Sequence, residues 1–147
     1  MKTPLSILTL ALSLALAGCT LFPSQDGTEP SGPPDEKKLI RRGTPPLSGD
    51  QTQKLLKNAT WRWAGNNGAH GTAITHDDGR LRVNWESGGV NGWIRFNDTG
   101  YCSRFKNLRN NREDCYRLYP TGPNRYDVFR ADGVFTGNIE ILVQRGR

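Results

Sequence analysis

From Thr60 onward the chain follows a two-residue rhythm, with short runs rich in Trp, Val, Ile, Tyr and Phe broken by Gly, Asn and Asp. The breaks are Asp77-Asp78-Gly79, Asn97-Asp98-Thr99-Gly100, Thr121-Gly122-Pro123-Asn124 and Ala131-Asp132-Gly133, each holding a residue that tolerates positive φ. Connections this short demand antiparallel neighbours. The spacing predicts strands near 60–64, 71–76, 80–85, 92–97, 101–107, 113–119, 125–130 and 134–143. The fold class is therefore mainly β, a small antiparallel meander closed into a barrel or folded into a sandwich. Ahead of it, Ser48-Gly49-Asp50-Gln51 has capping-box spacing and predicts a short N-terminal helix to about Asn58, packed through Leu55 and Leu56. The sequence shows no convincing internal repeat.

The scale of such a meander suits the chain: 147 residues make one folded domain at most, which excludes multidomain enzymes and doubly wound dinucleotide folds. Aliphatic residues are scarce, but 4 Trp, 4 Tyr and 5 Phe supply rings large enough to build a small core.

The first residues do not belong to that core. Lys2 precedes an uncharged apolar run from Leu5 to Leu16, bounded by the small residues Ala17 and Gly18, the pattern of an export signal over 1–18. A run of twelve residues falls short of the ~20 that a spanning helix needs. At the end of the run, Leu16-Ala17-Gly18-Cys19 resembles the lipobox of bacterial lipoproteins. The resemblance implies cleavage before Cys19, diacylation of its sulfur and acylation of the new amino terminus, an attachment of palmitate type. More than one acyl chain makes membrane attachment stable. Thr20 stands where the usual sorting rule has Asp for inner-membrane retention, which implies the outer membrane, facing the periplasm.

With Cys19 assigned to lipid, Cys102 and Cys115 remain as a pair in an oxidising compartment, where a disulfide persists. The two cysteines and His70 and His76 fit no zinc spacing, so neither metal nor cofactor is expected. Residues 19–47 read as lipidated cysteine and Pro-rich tether, and 48–147 as the β domain. The positive charge belongs to the domain: residues 20–50 carry 4 basic and 5 acidic side chains, residues 51–147 carry 15 and 9.

The domain also resembles a family of small exported bacterial domains of unknown function. The resemblance runs from Leu47-Ser48-Gly49-Asp50 and Leu55-Leu56 to Thr60, then through Gly92-Trp93, Cys102, Cys115-Tyr116-Arg117, Asp132-Gly133 and Gly137, Ile139 and Ile141. Phe105 stands where that family tends to place a second Trp. What it implies is a compact β domain with one disulfide; it offers no activity.

Pairing Cys102 with Cys115 puts a hairpin turn near residues 108–110 and sets Arg104 opposite Glu113. Alternation then turns Leu81, Val83, Trp85, Ile94 and Phe96 inward, and gathers Arg80, Arg82, Arg95, Arg104, Lys106 and Arg117 outward, with Trp93 and Tyr119 among them. Arginine suits forked recognition of phosphate or carboxylate, so Arg80, Arg82, Trp93, Arg95, Arg104, Lys106 and Arg117 form the candidate binding face; a solvated sheet face is the plainer reading of the same charges.

Catalysis has little sequence support. No Ser or Thr sits in a nucleophile elbow, the thiols are assigned to lipid and bridge, and Asp77, Asp78, Asp98 and Asp132 serve turns. The Gly-rich stretches 65–71 and 87–92 open no helix, which a phosphate loop needs, and read as strand connections able to rim a binding surface. The expectation is a membrane-anchored envelope lipoprotein with a non-catalytic β binding module. Its partner would be an envelope protein or an anionic polymer, and nucleic acid is not expected. A periplasmic inhibitor or immunity-type protein against a hydrolase or toxin is the alternative.

Overall fold

A computed structural model of the chain describes residues 32–145; the export signal, Cys19 and the tether up to residue 31 lie outside the described residues. Eight antiparallel strands form a closed up-and-down barrel: β1 Ala59–Gly65, β2 His70–Thr75, β3 Arg80–Trp85, β4 Gly88–Asn97, β5 Gly100–Phe105, β6 Glu113–Gly122, β7 Arg125–Arg130 and β8 Phe135–Gln144. Each strand pairs with its neighbour in sequence, and β8 returns to β1 with Trp61 opposite Ile141. Closure leaves no unpaired strand edge. Of the two architectures open to the sequence, the barrel is realised.

Strands β3 and β7 have the predicted bounds. The largest difference is at β4, which begins at Gly88 and absorbs most of the stretch read as a loop. Gly88, Gly89 and Val90 complete the ladder opposite Trp85, Asn84 and Val83, so pairing overrides the poor strand propensity of consecutive glycines. β5 stops at Phe105, two residues early, because Asn107, Arg109, Asn110 and Asn111 take positive φ and turn the chain.

Inward positions hold the core. Trp61, Ala73, Leu81, Ile94, Leu118 and Ile139 are all nearly inaccessible. One end of the barrel is shut by α2 (Gly49–Leu56), whose Leu56 and Thr52 are wholly buried. The predicted capping box is present: Gln51 N–H donates to Ser48 Oγ (3.2 Å) and Ser48 N–H to Gln51 Oε1 (2.8 Å). At the other terminus Gln144 of β8 donates to the Lys54 and Leu55 carbonyls, 3.1 and 2.9 Å, satisfying groups that the helix leaves open. Gly49 is needed here, since a Cβ would stand 1.7 Å from the Asn97 carbonyl oxygen. The helix is thereby pressed onto the β4–β5 turn.

The segment before α2 departs from the tether reading. Residues 36–41 form a six-residue helix, α1 (Glu36–Arg41), capped by Asp35. From there the chain runs down the outside of β6: Leu47 N–H donates to Leu118 O, and Gly49 N–H to Asp98 O. This strap covers Tyr119, expected in the outer stripe but only 1% exposed. Beneath it Tyr119, Phe129 and Phe135 meet edge to face, with centroids 5.2 and 5.4 Å apart.

Candidate functional site

With α2 closing the base, the connections β1–β2, β3–β4, β5–β6 and β7–β8 all lie at the opposite end, which is open. There the interior widens into a cup of about 510 Å³. Val83, Trp85, Val90, Phe105 and Trp63 form its wall, and Tyr101, Tyr116 and Ile139 its floor. The cup exists partly because β4 carries Gly92 inward. A Cβ there would meet the Phe105 ring at 2.5 Å, so the glycine lets that ring fold into the wall. An eight-stranded barrel is just wide enough to be filled by side chains or to hold one small ligand. Here the lower half is filled and the upper half is open.

One side of the mouth is polar and internally matched. Asp114, with 9% of its side chain exposed, accepts from Arg109 (2.7 Å) and Arg112 (3.1 Å), and the same Arg109 nitrogen donates to the Tyr116 hydroxyl at 2.7 Å. Burial works to raise the Asp114 pKa, but the hydrogen bonds and charges of the two arginines outweigh it and hold the carboxyl below its ordinary range. Tyr116 stacks on Tyr101 with centroids 5.2 Å apart, and burial pushes the Tyr101 hydroxyl far up. Arg130 is held by Asp132 of the β7–β8 turn at 2.6 Å. These groups brace the rim without offering a free charge to the cup.

The outer face carries the predicted stripe, in the predicted register: Cys102 pairs with Cys115 and Arg104 with Glu113, and the disulfide is formed. Most of the arginine heads there are engaged with the protein itself. Arg80 Nε binds Asp78 at 2.6 Å, Arg82 binds Asn84 and Asn91, and Arg95 grips Glu113, whose carboxyl is held low by that hydrogen bond. Arg117 is withdrawn from the stripe altogether. Its guanidinium forks onto Glu36 (2.8 and 2.9 Å), which also accepts from Tyr119 OH at 2.8 Å. The side chains of Arg104 and Lys106 are exposed and make no hydrogen bond with a described residue. Trp93, 54% exposed, stands directly between Arg80 and Arg104 on adjacent strands.

His70 is exposed and leans on the Gly68 carbonyl, while His76 starts the β2–β3 turn at the base, so the two imidazoles sit at opposite ends of the barrel. Cys102, Glu113 and Cys115 come within 4.8 Å of one another, but the sulfurs are bonded together and Glu113 belongs to Arg95. Ser103, Thr136, Tyr101 and Tyr116 bring hydroxyl-bearing side chains to the cup, and neither histidine borders that cavity. The arrangement can enclose and hold; among the described residues it shows no nucleophile with a base beside it. Comparison with known proteins finds no matching family model, no similar curated protein and no similar solved structure.

Sequence reasoning placed Val83 and Trp85 inward without anticipating that they line an open space. It gave no role to Trp63, Val90, Leu108 or Val134 at the mouth. The signal that could have found them is the excess of apolar residues at the ends of strands and in turns, where polar ones are the norm.

Proposed function

We propose that the protein is a cell-envelope lipoprotein, anchored through Cys19, whose barrel is a non-catalytic binding module that takes an apolar ligand in its open end. The observation that carries the reading is the cup: about 510 Å³, walled by Trp63, Val83, Trp85, Val90 and Phe105 over a closed base. Ligand cavities are concave, mainly apolar, and of ~300–1,000 Å³. A fold that needed only stability would fill that space, because each unfilled methyl-sized gap costs on the order of 1 kcal/mol.

The test uses N-phenyl-1-naphthylamine, a small uncharged fluorophore, titrated into the purified protein. A saturable rise in its emission, with transfer from the tryptophans, is expected. Val90→Trp, which fills the cup from the wall, should abolish the rise while far-ultraviolet circular dichroism stays unchanged. No rise with the wild type, or an equal rise with a folded Val90→Trp, would refute the reading.

A second reading keeps an anionic partner on the outer face, and one observation favours it: the Arg80–Trp93–Arg104 row, a ring flanked by two cations across three adjacent strands. Salt-sensitive retention on an anionic glycan matrix, lost in Trp93→Ala/Arg104→Glu, would support it.

A further inference from the structure

We infer that the occupant of the cup is a fatty acyl chain taken from the bilayer that holds the anchor, and that the barrel meets that bilayer mouth first through an apolar rim. This rests on the binding-module reading above and names its ligand class.

Three exposed side chains make the apolar part of the rim. Trp85 ends β3, Leu108 lies in the β5–β6 connection and Val134 in the β7–β8 turn, with exposures of 36, 42 and 46%. All three border the cup. Four other large apolar side chains are exposed among the described residues, and none of them borders it. Isolated exposed apolar groups are ordinary, but a set gathered around an apolar opening marks an interaction site. Lys106, exposed where β5 leaves the barrel at the same end, adds the positive charge that anionic headgroups attract.

The path of the chain starts the strap at the mouth. Glu36 Oε2 lies 3.0 Å from the position a Cβ would take on Gly133, in the β7–β8 turn. The strap therefore begins at the mouth and descends to the base, where Gly49 meets the β4–β5 turn. Thirteen peptide units separate Gly32 from Cys19, and they can span at most about 45 Å. A lipid on Cys19 would thus join the described chain where the strap starts, at the open end of the barrel.

Energetics favour exchange over capture. An acyl chain loses ~0.8 kcal/mol per CH₂ when it passes into water, and loses nothing comparable when it slides from a bilayer into an apolar cup pressed against it. The apolar part of the rim gives such a passage a dry entry beside the ion-paired side of the mouth. A ligand drawn from solution would need no such rim.

The experiment uses the full chain from position 19 with Cys19→Ser, so that no covalent lipid delivers it to membrane. It is mixed with vesicles of phosphatidylethanolamine and phosphatidylglycerol whose acyl chains carry bromine, which quenches tryptophan on contact. Quenching is expected, retained in Trp93→Phe, and reduced in Trp85→Phe. It should be lost in Leu108→Asp/Val134→Asp, exposed positions where the fold has no stake. In parallel, free dibromostearic acid should displace N-phenyl-1-naphthylamine from the cup. If the naphthylamine binds and Val90→Trp blocks it, yet neither brominated lipid acts, the acyl inference is overturned and the binding module stands. Vesicle quenching without displacement by the fatty acid also overturns it, since the rim would then touch lipid while the cup takes something else. If the naphthylamine itself fails to bind, the underlying reading falls first.

Discussion

Removing the Glu36 carboxylate should release the strap and leave the barrel standing. Glu36 receives three hydrogen bonds, two from Arg117 and one from the Tyr119 hydroxyl, and only 11% of its side chain is exposed against 27% for Arg117. Bonds to charged groups contribute roughly 1.5–3 kcal/mol each in favourable settings, and they overlap when they share one carboxylate. Solvent at the Arg117 end screens part of that. We therefore place the loss in Glu36→Ala at about 2–3 kcal/mol, which is roughly 30- to 150-fold in the docking equilibrium of the strap. The loss falls on the strap because α1 has six residues, too few to hold helical structure alone. Hydrogen exchange reads this directly. The amides of Gly43, Thr44 and Leu47, bonded to Ile40, Leu39 and Leu118, should exchange faster by that factor, while the amide of Ile94 in β4, bonded to Gly79 of the β2–β3 turn, should not change. Tyr119 supplies a second readout: burial first, then its bond to Glu36, push its pKa up to about 12, and in the variant the phenol should titrate closer to 10. Unchanged exchange at Leu47, or a global loss of barrel protection, would refute the view that one carboxylate clasps an otherwise independent segment.

Four further outcomes are expected. Cys102→Ala should lower unfolding stability by about 2–5 kcal/mol in chemical denaturation, the usual cost of removing a native bridge from a small exported domain. The depressed Asp114 pKa contributes stability that is present above its unfolded value of 3.8 and is lost as pH falls through the lower folded value, so Asp114→Asn should reduce the thermal midpoint at neutral pH by more than it does in acid. Asp127 shows the opposite sign: burial alone raises its pKa, its charged form at neutral pH costs stability, and Asp127→Asn should raise the midpoint at pH 7 with the gain fading as pH falls through the raised folded value and gone below 3.8. Labelled palmitate should enter the wild-type chain in cells and fail to enter Cys19→Ala; equal labelling of both would remove the anchor.

The barrel was legible because its information is local. Turn residues such as Asp132-Gly133 and the alternation of Arg80, Leu81, Arg82 and Val83 fix strand bounds and facing without knowledge of distant partners. Cys102 and Cys115 then fixed the β5–β6 register, and Arg104 duly lies opposite Glu113. The strap was not legible. Prolines at 33, 34, 45 and 46 read as linker, and Glu36 looks like any charged residue until Arg117 and Tyr119, more than eighty positions away, are brought beside it. The ion-pair partners on the outer face show the same divide. Local register put Arg104 beside Glu113, yet the carboxylate is taken by Arg95, one strand further across.

The site was hidden for a deeper reason than sequence distance. Alternation distinguishes two faces of a sheet, and in a sandwich or an open sheet the inward face is simply core. Closure between β8 and β1 changes what inward means, because it gives the interior two ends that need not be treated alike. Val83 and Leu81 have the same facing, belong to the same strand and both line the cup, yet Leu81 is buried at 2% exposure while Val83, two residues nearer the mouth, is half-buried. What separates them is height along the barrel, and height is set by α2, which fills one end, and by Gly92, which leaves room for Phe105 at the other. Neither constraint is visible as a pattern in the strands themselves. An apolar residue in a turn at the unplugged end, such as Leu108 or Val134, is then the feature that carries functional information, because nothing in the fold requires it to be apolar.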